Sequence, residues 1–405
     1  MRPQGRAGCA GGCGEPTGKE ENRDMEAEQL FHTGNHFDRL GLIALPGAEE
    51  LAAKIDKWLV DWAAMGPEAR DTFLVPVECP RFQSGDGKGL IRESVRGMDV
   101  YILIDVGNYS CTYQIFGQTN HMSPDDHFAN LKRVIQALGG KANSISVIMP
   151  QLYGSRQHRR AGRESLDCAC ALQELRAMGV KNLVTFDAHD ARVQNAVPLM
   201  GFDNLMPHYQ VLKAMFRHYP DISTNKEKFM VVSPDEGAMN RNMYYSSVLG
   251  VNLGMFYKRR DYSRIVNGRN PIVAHEYLGE SVEGKTVLVA DDIISSGDSM
   301  LDIARYMKDH SAGRFFASAT YALFTGGFEL FDKAFEEGAI DGVFGTNMTY
   351  VNPALREKPW FIEVDCSKYI AYIVAAMNHE VSVSAMLDPH EKIIKLMEMY
   401  HSNSK

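Results

Sequence analysis

The sequence lacks the features that define several classes of protein. It has no apolar run approaching the ~20 residues that a membrane-spanning helix needs. Its N-terminal segment has no apolar core of the kind found in signal peptides. Its seven cysteines are scattered over 405 residues and suggest no disulfide framework. These absences predict a cytoplasmic protein in a reducing setting, with no attachment to a membrane.

The sequence also lacks an excess of positive charge. Lysine and arginine number 43 against 51 aspartates and glutamates, which gives a formal net charge of −8. A nucleic-acid binder usually presents a broad basic surface to the phosphate backbone, so no nucleic-acid partner is expected. Hydrophobic residues make up 45% of the chain and charged residues 23%, which is ordinary for a globular protein.

The order of apolar and amphipathic runs predicts an α/β fold. From Gly41 onward, short Val/Ile-rich runs alternate with helical patterns, which is typical of βαβ units and mainly parallel sheets flanked by helices. The length favours two such domains. We expect a disordered tail over 1–36, an N-terminal domain over 37–205, a C-terminal domain over 206–367, and C-terminal helices over 368–405 that pack back on the N-terminal domain.

Residues capable of chemistry follow the predicted strands, at the ends where parallel sheets bind their ligands. Basic segments, "QLYGSRQHRRAGRES" and "KRRDYSR", follow two of the strands, and acidic segments end or follow three others: "AHDARVQ", "SPDEGAMNR" and "DDIISSGDSM". A single site that needs cations, anions and a metal ion together would explain this distribution.

The segment "TVLVADDIISSGDSM" carries the sharpest local signal. A small-residue loop that leads into a helix binds phosphate through its backbone N–H groups, and Ser295, Ser296 and Ser299 around Gly297 add hydroxyl donors. The pair Asp291–Asp292 would repel a phosphate but can accept hydrogen bonds from sugar hydroxyls. A ribose 5-phosphate meets both needs; the alternative is an ordinary strand-end turn with solvated aspartates.

This pattern resembles the phosphoribosyl-diphosphate loop of the type I phosphoribosyltransferase fold, and the wider chain resembles the ribose-phosphate pyrophosphokinase family. The resemblance runs from about Gly41 to Leu387 and rests on several segments in the same order. These segments are "ESVRGMDVYILI", "YGSRQHRRAGRES", "TFDAHDARVQ", "VVSPDEGAMNR", "YKRRDY" and "NHEVSVSAML". It implies two phosphoribosyltransferase-like domains, with ATP on the first and ribose 5-phosphate on the second.

The resemblance also implies a reaction: transfer of the diphosphoryl group of ATP to O1 of ribose 5-phosphate, leaving AMP, with Mg2+ as cofactor. Lys258 and Arg260 would act catalytically from a mobile loop that closes over the transferring group. The ribose 5-phosphate would lie on the Asp291–Ser299 segment described above. The family's ATP ligands correspond to Arg156, Gln157, Phe82, Asp86 and His189, and its metal-anchoring residues to His189 and Asp235.

Three positions depart from the family pattern. His158 stands where the family has an acid, Ala238 replaces a glycine, and Asp298 occupies the sugar-phosphate loop. We expect Asp298 either to turn outward and cap a helix that begins near Ser299, or to mark a loop that binds its sugar phosphate differently.

Two other functions remain open from the sequence. A non-catalytic regulatory paralogue would be expected to lose the metal-site histidine or the basic loop, and candidates for both are present. A phosphoribosyltransferase would not need the ATP-like segment "RQHRRAGRE". In the family, a loop of a neighbouring subunit completes the adenine site, and Phe82 and Asp86 lie in the corresponding loop of this sequence. The resemblance therefore implies a homo-oligomer, a dimer or hexamer.

Overall fold

The first sheet of the protein is built from five parallel strands. The computed structural model describes residues 37–66, 69–260 and 272–403. The strand order is β1-β4-β7-β8-β9. The strands are β1 (Leu40–Ala44), β4 (Asp99–Leu103), β7 (Ser144–Ile148), β8 (Asn182–Phe186) and β9 (Gly201–Leu205).

Helices cover this sheet because each presents an apolar stripe to it. They are α1 (Glu49–Ala63), α2 (Pro124–Leu138) and α3 (Asp167–Ala177). Leu51, Ile55, Leu59 and Trp62 recur at helical spacing on α1 and are all buried. A capping box formed by Ser123 and Asp126 starts α2.

Two small antiparallel hairpins project from the first domain. One joins β2 (Val77–Glu78) to β3 (Leu90–Ile91), and the other joins β5 (Thr112–Ile115) to β6 (Gln118–His121). Short 3-10 turns occur at Phe37–Arg39 and Ala191–Ala196.

The second sheet has seven strands in the order β12-β11-β10-β13-β14-β15-β16. All neighbours are parallel except β12, which pairs antiparallel with β11. The strands are β10 (Phe229–Ser233), β11 (Asn252–Arg260), β12 (Ile272–Leu278), β13 (Thr286–Ile294), β14 (Arg314–Ala322), β15 (Gly342–Thr346) and β16 (Phe361–Val364). Every residue of β10 and β15 is buried, as expected for strands covered on both faces.

The remaining helices follow these strands or close the chain. They are α4 (His208–His218), α5 (Met239–Leu249), α6 (Asp298–Asp309), α7 (Glu329–Glu336), α8 (Pro353–Arg356), α9 (Ser367–Asn378), α10 (Ser384–Leu387) and α11 (His390–Asn403). Helix α9 packs against α1, whereas α11 packs against α4 and α5. The predicted α/β fold with two mainly parallel sheets is confirmed.

The two sheets meet near the carboxyl ends of their strands. The Tyr321 hydroxyl on β14 lies within hydrogen-bonding distance of two backbone oxygens of the first domain, those of Phe186 (2.6 Å) and Pro150. Beyond the end of β4, the buried Asp105 carboxylate accepts from the Thr349 hydroxyl and the Tyr350 amide, at 2.9 and 2.7 Å. These contacts bring the chemistry-bearing ends of both sheets together.

Among the described helices, none has both the length and the apolar content needed to cross a bilayer.

Candidate functional site

The acidic pair Asp291–Asp292 lies near the end of β13, in the second sheet. The buried side chain of Asn242 on α5 fixes the strand immediately before the pair: its carbonyl accepts from the Ala290 amide at 3.1 Å, and its amide donates to the Ala290 oxygen at 2.8 Å. Because both hydrogen bonds are made to one strand residue, the backbone that carries the two carboxylates has a single defined position.

Asp292 is bonded to a histidine of the other domain. His189, which follows β8, places Nδ1 2.7 Å from Asp292 Oδ2. The hydrogen bond with this carboxylate raises the pKa of His189, against the opposing effect of burial. The bond also fixes the ring orientation and leaves Nε2 as the atom that can reach a metal ion or a nucleotide, which is the usual arrangement of a metal-binding histidine.

The two carboxylates of the pair differ in their electrostatics. Burial, together with the charge of Asp292, raises the pKa of Asp291. Burial acts on Asp292 in the same direction, but the hydrogen bond from His189 and the charge of Arg241 outweigh it and hold its pKa below the usual range. The Asp292 amide donates to Asp291 Oδ1 at 2.8 Å. The site therefore holds an ionised Asp292 beside Asp291, whose carboxylate favours a proton or a nearby cation.

Arg241 on α5 joins the two domains beneath this pair. Its guanidinium contacts both carboxylate oxygens of Asp187, with Nε–Oδ2 at 2.8 Å and Nη2–Oδ1 at 2.6 Å. Its remaining nitrogen, Nη1, lies 3.6 Å from Asp291 Oδ1. Sequence reasoning assigned no role to this arginine, which ends the segment "VVSPDEGAMNR", because its partner Asp187 lies 54 positions away in the chain.

The turn from Ser295 to Ser299 leads directly into α6. Gly297 adopts φ +86°, and a side chain added there would come within 2.3 Å of the Phe331 ring. The Ser295 hydroxyl lies 3.0 Å from that of Thr325, and the exposed Ser296 hydroxyl donates to Asp298 at 2.8 Å. Backbone amides and serine hydroxyls at the start of this twelve-residue helix are suited to binding an anionic group.

Asp298 does not cap this helix. The helix begins at Asp298 itself, and the cap residue is Gly297, with no side-chain cap hydrogen bond. The expectation that Asp298 caps a helix beginning near Ser299 is therefore wrong, because the left-handed glycine already makes the turn. Asp298 is exposed and accepts a hydrogen bond from Ser296, within the first turn where a carboxylate interacts favourably with the helix dipole.

On the first domain, the residues after β7 approach His189. His158 Nε2 lies 3.4 Å from Asp190 Oδ2, and its ring centroid lies 5.5 Å from that of His189. The charge of Arg156 acts on His189 in the direction of a lower pKa, which places this arginine in its vicinity. The Gln157 side chain donates to the Ser165 oxygen at 2.9 Å and so stabilises the loop.

Asp235 lies two residues beyond β10, and its Oδ1 accepts from the amide of Ala238, the residue before α5, at 3.1 Å. Its charge contributes to the raised pKa of Asp291, so it belongs to the same acidic surroundings. Among the described residues, no three His, Cys, Asp or Glu side chains are grouped as ligands of one metal ion. Mg2+ keeps several waters and takes few protein ligands, and an oriented histidine with an acidic group fits that requirement.

Phe82 and Asp86 contact other residues of their own loop. The Phe82 amide donates to the Asp86 oxygen at 2.7 Å, and Ser84 donates to the Asp86 carboxylate at 2.8 Å. The Phe82 ring is 56% exposed. Arg81, in the same loop, stacks on Tyr113 of the β5–β6 hairpin at 4.4 Å, so this hairpin supports the loop from one side.

The segment that contains Lys258 and Arg260 was expected to form a mobile loop. The backbone of both residues belongs to β11, where Lys258 pairs with His275 and Arg260 with Ile272. Their side chains, and the whole of residues 261–271, lie outside the part of the chain that the structure describes.

Comparison with known proteins gives one consistent answer. Residues 40–179 match the model for the N-terminal domain of ribose phosphate pyrophosphokinase, and residues 208–322 match that for the phosphoribosyl transferase domain. The ribose-phosphate pyrophosphokinase of Mycoplasma pneumoniae is 28% identical over 315 residues, which cover 76% of this chain and 88% of the relative. That of Vibrio cholerae is 26% identical over 314 residues, which cover 76% and 90%.

The fold has also been seen in a solved structure. The phosphoribosylpyrophosphate synthetase from Mycobacterium smegmatis superposes with a TM-score of 0.68 at 20% identity, over 84% of this chain and 99% of that one. The two matched domain models occupy well over half of the chain, in the order expected of the family. The chain belongs to the ribose-phosphate pyrophosphokinase family.

Proposed function

We propose that this protein is a ribose-phosphate diphosphokinase, which transfers the diphosphoryl group of ATP to O1 of ribose 5-phosphate and releases AMP. The product, 5-phosphoribosyl 1-diphosphate, supplies nucleotide biosynthesis. The observation that carries the proposal is the junction of the Asp291–Asp292 pair with an oriented histidine of the other domain, through the 2.7 Å contact between His189 and Asp292. An enzyme that transfers a group from a nucleotide to a sugar phosphate must hold both substrates side by side, and residues of two domains in contact allow this.

On the sugar side, the Ser295–Ser299 turn would receive the 5-phosphate through its amides and hydroxyls, with Gly297 allowing close approach of the backbone. Asp291 and Asp292 would accept hydrogen bonds from the ribose hydroxyls. Asp292 is held by His189 and Asp291 is approached by Arg241, so both carboxylates are oriented in advance. Preorganised acceptors orient O1 for attack on the β-phosphorus.

On the nucleotide side, Arg156 and Gln157 would bind ATP, with the planar guanidinium serving the phosphates. His189 and Asp235 would hold Mg2+, which when bound with ATP offsets phosphate charge and polarises the transferring group. Lys258 and Arg260 would stabilise the charge that develops as the α–β bridge breaks. Both residues lie on β11, which is separated from β13 by β10 alone, and this placement supports the role.

Phe82 and Asp86 would complete the adenine site of a second copy of this chain. Their exposed loop, supported by the β5–β6 hairpin, suits this role, since an aromatic ring that is 56% exposed is available for stacking. We therefore propose a homo-oligomer, a dimer or hexamer, in a cytoplasmic setting. Light scattering after size exclusion measures its state directly.

The activity is tested by incubating the protein with ATP, Mg2+ and ribose 5-phosphate and separating the adenine nucleotides. The expected result is AMP and 5-phosphoribosyl 1-diphosphate in equal amounts. ADP instead of AMP indicates an ordinary kinase. If a protein that binds both substrates gives no turnover, the regulatory paralogue is favoured, and consumption of 5-phosphoribosyl 1-diphosphate with a nucleobase indicates a phosphoribosyltransferase.

A further inference from the structure

We infer that Arg241 is a positioning residue that sets the geometry of both halves of the site at once, and that its forked contact is required for binding ribose 5-phosphate. The inference rests on the proposed function, because it assigns the sugar to Asp291 and Asp292. It concerns a residue that contacts neither substrate in that assignment and acts through the carboxylates it holds.

The first half that Arg241 holds is the turn after β8. Asp187 is almost fully buried and adopts φ +44°, a left-handed conformation that is uncommon for a residue other than glycine. Two Arg241 nitrogens and the Thr320 hydroxyl, which is 2.6 Å away, hold its carboxylate. His189 lies two residues farther along this turn, so the direction of its ring depends on the strained residue that Arg241 stabilises.

The second half is the acidic pair on β13. Arg241 Nη1 lies 3.6 Å from Asp291 Oδ1 while its other two nitrogens face Asp187. The Arg241 side chain is only 10% exposed, so water screens these interactions weakly. A planar guanidinium can face two carboxylates in fixed directions at once, which an ammonium group cannot do.

Removing the charges of Arg241 and Asp187 together distinguishes a positioning role from a purely structural one. If Arg241 only filled space and balanced charge, removing its charge together with that of Asp187 would restore the fold and the function. If it orients Asp291, the fold returns but the affinity for the sugar phosphate does not, because Asp291 still lacks its cationic neighbour.

The experiment measures binding of ribose 5-phosphate alone to the full chain by titration calorimetry. Arg241→Met is expected to weaken binding by at least ~10-fold, and Arg241→Lys by ~3- to 10-fold, since lysine keeps the charge and loses the fork. Arg314→Met is the matched control: its ion pair with Asp221 is exposed, and Arg314 begins β14 at the end opposite the candidate site, so affinity is expected to stay within twofold.

Two further variants keep the result decisive if Arg241→Met folds poorly. Asp187→Asn combined with Arg241→Met removes both buried charges and is expected to fold while binding the sugar phosphate at least ~10-fold more weakly. Arg241→Ala is expected to regain part of its affinity when methylguanidinium is added, with no such gain in wild-type protein.

Wild-type affinity in Arg241→Lys and in the double variant would overturn the inference while leaving the proposed function intact. A wild-type protein that does not bind ribose 5-phosphate at all would instead contradict the proposed function. Because binding is measured without ATP, loss of turnover for any other reason does not affect the result.

Discussion

His189 Nδ1 lies 2.7 Å from Asp292 Oδ2, although the two residues are 103 positions apart in the chain and belong to different domains. The contact couples the residue we assign to the nucleotide and its metal ion to one we assign to the sugar. A change on either side of the site is therefore expected to be felt on the other.

Replacing Asp292 with Asn should reduce kcat/KM for ribose 5-phosphate by at least ~100-fold, because the amide removes the charge that holds both His189 and a ribose hydroxyl. Steady-state kinetics with each substrate varied in turn measure the effect. Asp302→Asn, which neutralises an exposed carboxylate on α6, is the matched control and should behave like wild type. A normal KM and kcat for Asp292→Asn would contradict the assignment of this carboxylate.

Lys258→Ala should lower kcat by at least ~100-fold with a smaller change in substrate binding, because the lost ammonium would act mainly on charge that develops during transfer. Single-turnover measurement of AMP formation separates this step from product release. Lys285→Ala, which alters a lysine paired with Glu280 at the opposite end of β13, is the control. Near-normal turnover in Lys258→Ala would refute the catalytic role.

Gly297→Ala should both destabilise the protein and impair sugar-phosphate binding. The new methyl group would meet the Phe331 ring at 2.3 Å in addition to requiring a left-handed backbone. Gly250→Ala is a close control, because Gly250 also has positive φ (+66°) but its added methyl group would meet nothing within 4 Å.

The control isolates the backbone cost, expected to be about 1 kcal/mol, whereas Gly297→Ala should lose roughly 2–4 kcal/mol in urea unfolding. Equal losses in the two variants would show that Phe331 yields easily and that the close contact has no bearing on the turn.

His208 should make the protein less stable in mild acid. It is buried between Tyr244 and Tyr245, its Nε2 has no hydrogen-bond partner among the described residues, and burial lowers its pKa from 6.5 to about 3. Below pH 6.5 the unfolded chain takes up a proton that the folded chain refuses, so stability falls as the pH drops from 6.5 towards 3.

The expected loss from this residue is about 1.4 kcal/mol per pH unit, or about 2 kcal/mol at pH 5. His208→Phe keeps the stacked ring and removes the titration, so urea midpoints at pH 7 and pH 5 should differ less in the variant than in wild type. An identical pH dependence in the two proteins would show that His208 does not titrate differently on unfolding.

The fold class could be predicted from the sequence because Val/Ile-rich strands and amphipathic helices leave strong periodic signals. Much of the candidate site was also readable, since acidic and basic side chains gather where parallel strands end. The pair Asp291–Asp292 could be named for this reason and His189 from the family resemblance, and the structure brings Asp292 and His189 into contact. Their roles towards substrate remain predictions.

Other features could not be read because they depend on contacts between distant segments. Arg241 looks like an ordinary helical arginine until its fork is seen on Asp187 of the other domain. The non-capping position of Asp298 depends on the turn at Gly297, where the Phe331 ring from α7 leaves no room for a side chain. The sequence contains no signal for the contact between Arg241 and Asp187 or for the approach of Phe331 to Gly297.

The Tyr321 hydroxyl lies against two carbonyl oxygens of the first domain, those of Pro150 and Phe186. Both oxygens belong to the segments that run into the nucleotide-side residues, so one buried phenol joins the two domains between the sheets. Separating the domains would break these buried hydrogen-bond contacts and expose the packed surface around them, at a cost in free energy. We therefore expect the two sheets to keep a fixed relative position, and substrates to enter and leave by local rearrangement of loops.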